Sequence, residues 1–336
     1  PDGMKLSDNI EKKIEILIDA KNKKQLTNPK LLGRVKRLED GNERYIKILK
    51  SNFPKNFRLN GLKIVLDCAN GASYKVAPET FWELGAQVTV IGNQPNGKNI
   101  NLNCGSTNTE LLKKIVIEES ADIGIALDGD ADRMIIVDEK GKEVDGNLLF
   151  AAIVKNWNDR GLLENKSVAS TIMANFALEN YLSSLGIDLV RTNVGDRYLV
   201  KSMRENNLKI GGEPSGHIVM SNFGTTGDGL IASLQVLSMM SSEDRPISEL
   251  VNLFELYPQK NISIPISGNN PLSDPAVKKI IKEQELLLDN KGRIIVRESG
   301  TEPIIRVMVE SKEETMINNI CEKIVSSIEK SLQKKN

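Results

Sequence analysis

One phrase occurs twice in this chain and limits what it can fold into. Residues 62–66 (Leu-Lys-Ile-Val-Leu) read as a strand, a Gly/Ala-rich turn follows, and a helical stretch runs to Leu84-Gly85 before the strand at 87–91. Residues 167–172 (Ser-Val-Ala-Ser-Thr-Ile) pass through Ala174-Asn175 into a helix ending at Leu185-Gly186, and a strand follows at 187–190. The two Leu-Gly ends lie 101 residues apart in matching surroundings. Strands alternating with helical stretches argue for parallel βαβ units. The expected architecture is therefore two similar α/β domains with mixed, mainly parallel sheets, meeting near residue 150.

Past Tyr257-Pro258 the pattern changes. Strands are expected at 261–265, 293–297 and 304–309, the last two antiparallel around a loop, with helices over 273–289 and along Met316, Ile320, Ile324 and Ile328. That is a small α+β C-terminal domain. At the other end, Ile10, Ile14, Leu17 and Ile18 recur at helical spacing behind Ser7, a candidate N-cap. A second helix is expected to bury Leu38, Tyr45, Ile48 and Leu49. One short stripe buries too little to stand alone, and the chain opens Pro1-Asp2-Gly3 with no initiator Met. Residues 1–38 therefore read as the end of a domain otherwise outside the sequence, followed by units at 39–150, 151–258 and 259–336.

Charge excludes several functions. Lys+Arg and Asp+Glu both number 45, so the basic excess of a nucleic-acid binder is missing. No run approaches the ~20 apolar residues of a membrane span, and no signal-peptide pattern opens the chain. Cys68, Cys104 and Cys321 form no CxxC pair, which suits a reducing cytoplasm.

Three loops carry chemistry. Asp128-Gly-Asp-Ala-Asp-Arg133 follows an apolar strand, and carboxylates at i, i+2 and i+4 repel unless a cation joins them. Asp128, Asp130 and Asp132 thus make a hard-oxygen site suited to Mg²⁺. An EF-hand calcium loop would need Gly where Arg133 stands, and flanking helices. An aspartyl-nucleophile phosphatase and a solvated acidic turn stay open on spacing alone. In Gly211-Gly-Glu-Pro-Ser-Gly-His217, Glu213 and Ser215 could grip vicinal hydroxyls. His217, the single histidine, is either an acid–base group, a donor or a structural hydrogen-bonder. In Arg297-Glu-Ser-Gly-Thr-Glu-Pro-Ile-Ile-Arg306, Ser299, Gly300 and Thr301 offer an anion-binding turn between two arginine forks. A plain hairpin with solvated arginines is the alternative.

Together the loops, with Asp67-Cys-Ala-Asn-Gly71, Cys104-Gly-Ser-Thr107, Val194-Gly-Asp-Arg-Tyr198 and Thr225-Thr-Gly-Asp-Gly-Leu230, resemble the α-D-phosphohexomutase superfamily over all 336 residues. Ser299-Gly-Thr-Glu-Pro303 and its continuation to Glu310 favour the glucosamine branch over the phosphomannomutase/phosphoglucomutase branch. Ala131 stands where many relatives carry Gly, and Pro214 occupies a variable position of the sugar loop. The resemblance implies an isomerase in which a phosphoserine converts glucosamine 6-phosphate to the 1-phosphate through a bisphosphorylated sugar. It implies Mg²⁺ on Asp128, Asp130 and Asp132, with Arg133 beside the transferring group. Glu213, Ser215 and His217 would hold the sugar, and Arg297, Ser299, Gly300, Thr301 and Arg306 its phosphate, all facing one crevice. The family's Ser-His-Asn-Pro loop does not occur in these residues, so the chain alone is expected to be inactive. The expected partner is a small sugar phosphate, with neither nucleic acid nor membrane, and a homodimer is left open. A non-catalytic sugar-phosphate-binding protein is the alternative from another class.

Overall fold

The computed structural model describes Gly3 and residues 5–19, 27–54, 57–266, 270–289, 291–299 and 302–333. They form two compact units: residues 1–173 with 189–251, and residues 174–188 with 252–336.

The elements follow in chain order as α1 (Asp8–Asp19), α2 (Gly41–Ser51), β1 (Lys63–Asp67), α3 (Val76–Glu83), β2 (Gln87–Ile91), α4 (Glu110–Glu118), β3 (Ile123–Leu127) and β4 (Met134–Asp138). After them come α5 (Gly146–Asp159), β5 (Ser167–Thr171), α6 (Phe176–Ser184), β6 (Asp188–Thr192), α7 (Asp196–Glu205), β7 (Ile210–Gly212), β8 (Ile218–Met220), α8 (Gly229–Glu243) and α9 (Ile247–Leu250). The remainder is β9 (Gln259–Pro265), α10 (Pro275–Leu288), β10 (Gly292–Glu298), β11 (Ile304–Ser311) and α11 (Glu314–Gln333).

The sequence repeat is a structural repeat. One sheet has the order β2-β1-β3-β4 and the other β6-β5-β7-β8. In each, the first strand pairs in parallel with the third, which then turns back on the fourth as an antiparallel hairpin. Ile-Gly-Ile-Ala-Leu of β3 is buried on every residue, the continuous apolar run expected of a strand covered on both faces. A glycine lets a helix lie close over the third strand in both copies. A Cβ on Gly124 would fall 2.7 Å from Val116 of α4, and one on Gly211 2.7 Å from Met203 of α7. Helix α8 packs on β4, β8 and α5 and is buried from Gly229 to Met240. Being apolar or small all round, it shows no amphipathic stripe, and periodicity does not reveal it.

One expected helix face needs correction. In α2 the buried residues are Ile46 and Leu49, while Ile48 and Leu38 are exposed. Tyr45 turns toward Asp228 instead, and its hydroxyl contact there fixes which side of the helix faces inward. In α1, Ile10, Ile14, Leu17 and Ile18 are all exposed. The Ser7 carbonyl accepts from Ile10 and Glu11 at the start of this helix.

The second unit holds a three-stranded antiparallel sheet, β10-β11-β9. Its core joins Ile305, Val307 and Val309 of β11 to Ile317, Ile320, Ile324 and Ile328 of α11. The segment at 174–188 belongs to this unit through polar locks. Asn175 accepts from the Tyr257 amide and donates to its carbonyl, and Arg293 donates to the Ala174 carbonyl at 2.8 Å. Arg293 also pairs with the fully buried Glu310 at 2.5 Å. No described helix is long and apolar enough to cross a membrane.

Candidate metal and sugar site

The two repeat hairpins supply the site. In the first, β3 ends at Leu127 and β4 begins at Met134, so Asp128 to Arg133 form the connecting loop. The Ala131 amide donates to the Asp128 carbonyl at 3.1 Å, closing the turn. Neighbours clamp it: the Gly129 carbonyl accepts from Ala72 and the Ala131 carbonyl from Gly229, each at 2.8 Å. With its backbone held, the loop aims one oxygen from each of Asp128, Asp130 and Asp132 into a cluster within 4.8 Å. Flanking strands, not helices, set it apart from an EF-hand.

This cluster carries more negative charge than its surroundings balance. Arg133 approaches Asp128 at 3.7 Å and Asp132 at 3.5 Å, and its amide donates to Asp128 at 3.2 Å. Burial, with the charges of Asp132 and Asp130 added, still pushes the Asp128 carboxyl up to about 6. Asp132 Oδ1 is buried and accepts no hydrogen bond. A hard divalent cation fits this donor set, because it would use the orphaned oxygen and cancel the repulsion.

In the second repeat, β7 and β8 flank Glu213 to His217. Here the carboxylate is satisfied from within: Glu213 accepts from the Gly195 amide at 3.3 Å and the Ser215 hydroxyl at 3.2 Å. Ser215 is exposed and Glu213 half-buried, so both can reach a ligand hydroxyl. His217, expected to hold the sugar, is only 2% exposed. Its Nδ1 lies 3.3 Å from Asp132 and its Nε2 3.8 Å from Asp196. The loops touch directly, since Arg133 bridges His217 and the Met134 amide donates to the Gly216 carbonyl at 3.1 Å.

The phosphate loop lies in the second unit, on β10 and β11. Arg297 and Arg306 are direct cross-strand partners, so their side chains share one face. Like charges in that arrangement destabilise a sheet unless an anion joins them. Arg306 pairs with Glu302 at 3.0 Å, and the Ser299 amide donates to the Ile304 carbonyl. Gly300 and Thr301 lie outside the described residues.

Residue patterns missed several supporting groups. Asp228 accepts from Leu230 and Ile231 at the start of α8 and from the Tyr45 hydroxyl at 2.7 Å. Burial raises the pKa of both groups. They line a cavity of about 290 Å³ shared with Asp130 and Asp132. Asp67 is fully buried and ties the Ala69 and Gly105 amides together at 2.9 and 2.7 Å. Asp228, Asp196 and Asp67 all fall in motifs visible in the sequence, but nothing there gives them partners.

Comparison with known proteins gives the family. Family models for phosphoglucomutase/phosphomannomutase match in chain order: alpha/beta/alpha domain II at 43–141, alpha/beta/alpha domain III at 145–257, and the C-terminal domain at 264–327. The chain belongs to the phosphoglucomutase/phosphomannomutase family. It is 50% identical to the phosphoglucosamine mutase of Parvibaculum lavamentivorans over 329 residues, covering 98% of this chain and 73% of that protein. The phosphoglucosamine mutase of Sinorhizobium medicae is also 50% identical, with the same coverage. Among solved structures, a phosphoglucomutase/phosphomannomutase family protein of Burkholderia thailandensis superposes with a TM-score of 0.71 at 18% identity, over 86% of this chain and 64% of that one. Aspergillus fumigatus N-acetylphosphoglucosamine mutase, solved with GlcNAc-6P and magnesium, gives 0.69 at 19% identity, over 85% of this chain and 70% of that one.

Proposed function

We propose that this chain supplies the metal, sugar and phosphate sites of an isomerase that interconverts glucosamine 6-phosphate and glucosamine 1-phosphate. The observation that carries the reading is the convergence of Asp128, Asp130 and Asp132, with Asp132 Oδ1 buried and accepting no hydrogen bond although Arg133 Nε lies 3.5 Å away. The phosphoglucosamine mutases at 50% identity support the substrate class.

In this reading the three aspartates hold Mg²⁺. The bound ion supplies positive charge for the oxygens of a transferring phosphoryl group. Arg133, beside Asp128 and Asp132, presents a guanidinium to the same oxygens. Glu213 and Ser215 accept and donate hydrogen bonds to sugar hydroxyls, fixing the ring. Arg297 and Arg306 grip the phosphate that does not react, and Ser299, Gly300 and Thr301 are assigned to the same phosphate. Such orientation can account for ~7–11 kcal/mol of a barrier in favourable cases. The phosphoryl donor is a phosphoserine on a Ser-His-Asn-Pro loop, which these 336 residues do not contain. Binding is therefore the property to measure on this chain.

Calorimetry tests the assignment. Asp130→Asn should weaken Mg²⁺ at least ~10-fold and leave inorganic phosphate unchanged, while Arg306→Ala does the reverse. Glucosamine 6-phosphate should bind more tightly than the glucose and mannose 6-phosphates. Both substitutions acting on one ligand, or production of glucosamine 1-phosphate by this chain alone, would contradict the reading.

A further inference from the structure

We propose that His217 is a positioning residue for the metal loop: it backs Asp132 from behind, with Asp196 facing the far side of its ring. The proposal rests on the metal reading above and assigns His217 to the cation, not to the sugar. Four observations lead to it. The imidazole is nearly sealed from solvent, at 2% exposed, so a bound sugar would meet little of it. Its Nδ1 lies 3.3 Å from Oδ2 of Asp132, while Oδ1 of the same carboxylate is buried with no hydrogen bond. One oxygen thus faces the ring, and the other, 3.5 Å from Arg133 Nε but without a hydrogen bond, keeps a position for a ligand. That is the division of labour expected when an outer group orients a metal-binding carboxylate.

The ring has no freedom to leave. A Cβ on Gly227 would lie 2.3 Å from Cε1 and 2.6 Å from Nε2, so the Gly227 backbone lies flat against the imidazole. On the far side the buried Nε2 makes no hydrogen bond, and the nearest carboxylate, Asp196, lies 3.8 Å away and is itself held by Lys5 at 2.7 Å. The main chain sets the register: Arg133 and His217 form a bridge, and the His217 carbonyl accepts from Glu213 at 2.8 Å. The loop of one repeat therefore aims a carboxylate in the loop of the other.

The test is Mg²⁺ affinity of the full 336-residue chain by calorimetry, with glucosamine 6-phosphate binding measured alongside. His217→Ala should weaken Mg²⁺ by at least ~10-fold. His217→Asn places an amide N–H where Nδ1 stood and should recover most of the affinity. His217→Gln places it where Nε2 stood and should not. Asp196→Asn should give a smaller loss in the same direction. Equal Mg²⁺ affinity for the Asn and Gln variants would overturn the proposal, as would an unchanged affinity in His217→Ala accompanied by weaker sugar phosphate binding. If the unsubstituted chain binds no Mg²⁺, the metal reading fails first and this proposal falls with it. Should His217→Ala not fold, the Asn and Gln pair still decides.

Discussion

The loops at 128–133 and 213–217 occupy the same place in two copies of one sheet, each joining the third strand to the fourth. Their charge is arranged in opposite ways. Glu213 finds its partners within the protein, in Ser215 and the Gly195 amide of a neighbouring loop. Asp128, Asp130 and Asp132 converge on each other and leave an oxygen unbonded. One hairpin is complete as a piece of protein. The other gathers three carboxylates against one arginine. A shared backbone device thus sets the direction in which side chains point, while the residues placed on it decide whether the charge is paired within the protein or gathered at one point.

The largest expected effect comes from breaking the contact between the loops. Gly216 has φ +87°, and a Cβ there would lie 2.0 Å from the Met134 carbonyl oxygen. That oxygen is backbone at the start of β4, and Gly216 accepts from the Met134 amide, so neither side can step aside cheaply. Gly216→Ala should cost about 3 kcal/mol in the first unit, from overpacking and left-handed strain together. Urea unfolding followed by a probe in residues 189–251 would measure it. A loss under about 1 kcal/mol would mean that the two hairpins do not hold each other.

The charge contrast predicts a pH dependence confined to the metal loop. Burial and its neighbours raise Asp128 to about 6, from an ordinary value of 3.8. A raised carboxyl favours the fold at low pH, and that contribution is lost as pH rises through about 6. The ion-free chain is therefore least comfortable at neutral pH, where Mg²⁺ has most to relieve. Protons compete with Mg²⁺ below that point, so affinity should fall about ten-fold between pH 7 and pH 5. Calorimetry at the two values checks the sign. An affinity that rises on acidification would show that the trio is not the ligand set.

Much of this contrast was legible in the residues, because it depends on local spacing. A buried strand followed by carboxylates at i, i+2 and i+4 identifies the first loop, and glycines around Glu213 and Ser215 identify the second. The repeat was visible because Gly85 and Gly186 end equivalent helices at positive φ. What could not be read is whatever depends on distant partners. By residue type His217 is an acid–base group, a donor or a structural hydrogen-bonder, and its burial beside Asp132 and Asp196 shows only in the fold. Helix α8 has no polar face to betray it. Ile48 fits the helical period as well as Ile46 does, and the choice between them follows from where Tyr45 meets Asp228, 183 residues away.

The smallest expected effect tests whether the metal loop gives up any stability for its shape. Ala131 sits at φ +62°, a left-handed conformation in which a Cβ is crowded by its own backbone. Glycine adopts that conformation freely but is more disordered when unfolded, which offsets part of the gain. Ala131→Gly should therefore stabilise the chain by no more than about 1 kcal/mol. Mg²⁺ affinity should hold, because the turn stays fixed by the Asp128 carbonyl on one side and the Gly229 amide on the other. The same urea experiment used for Gly216→Ala reads this shift with the opposite sign. Destabilisation by Ala131→Gly would mean that the methyl group makes a contact worth more than the strain it carries, and that the two loops differ in packing as well as in charge.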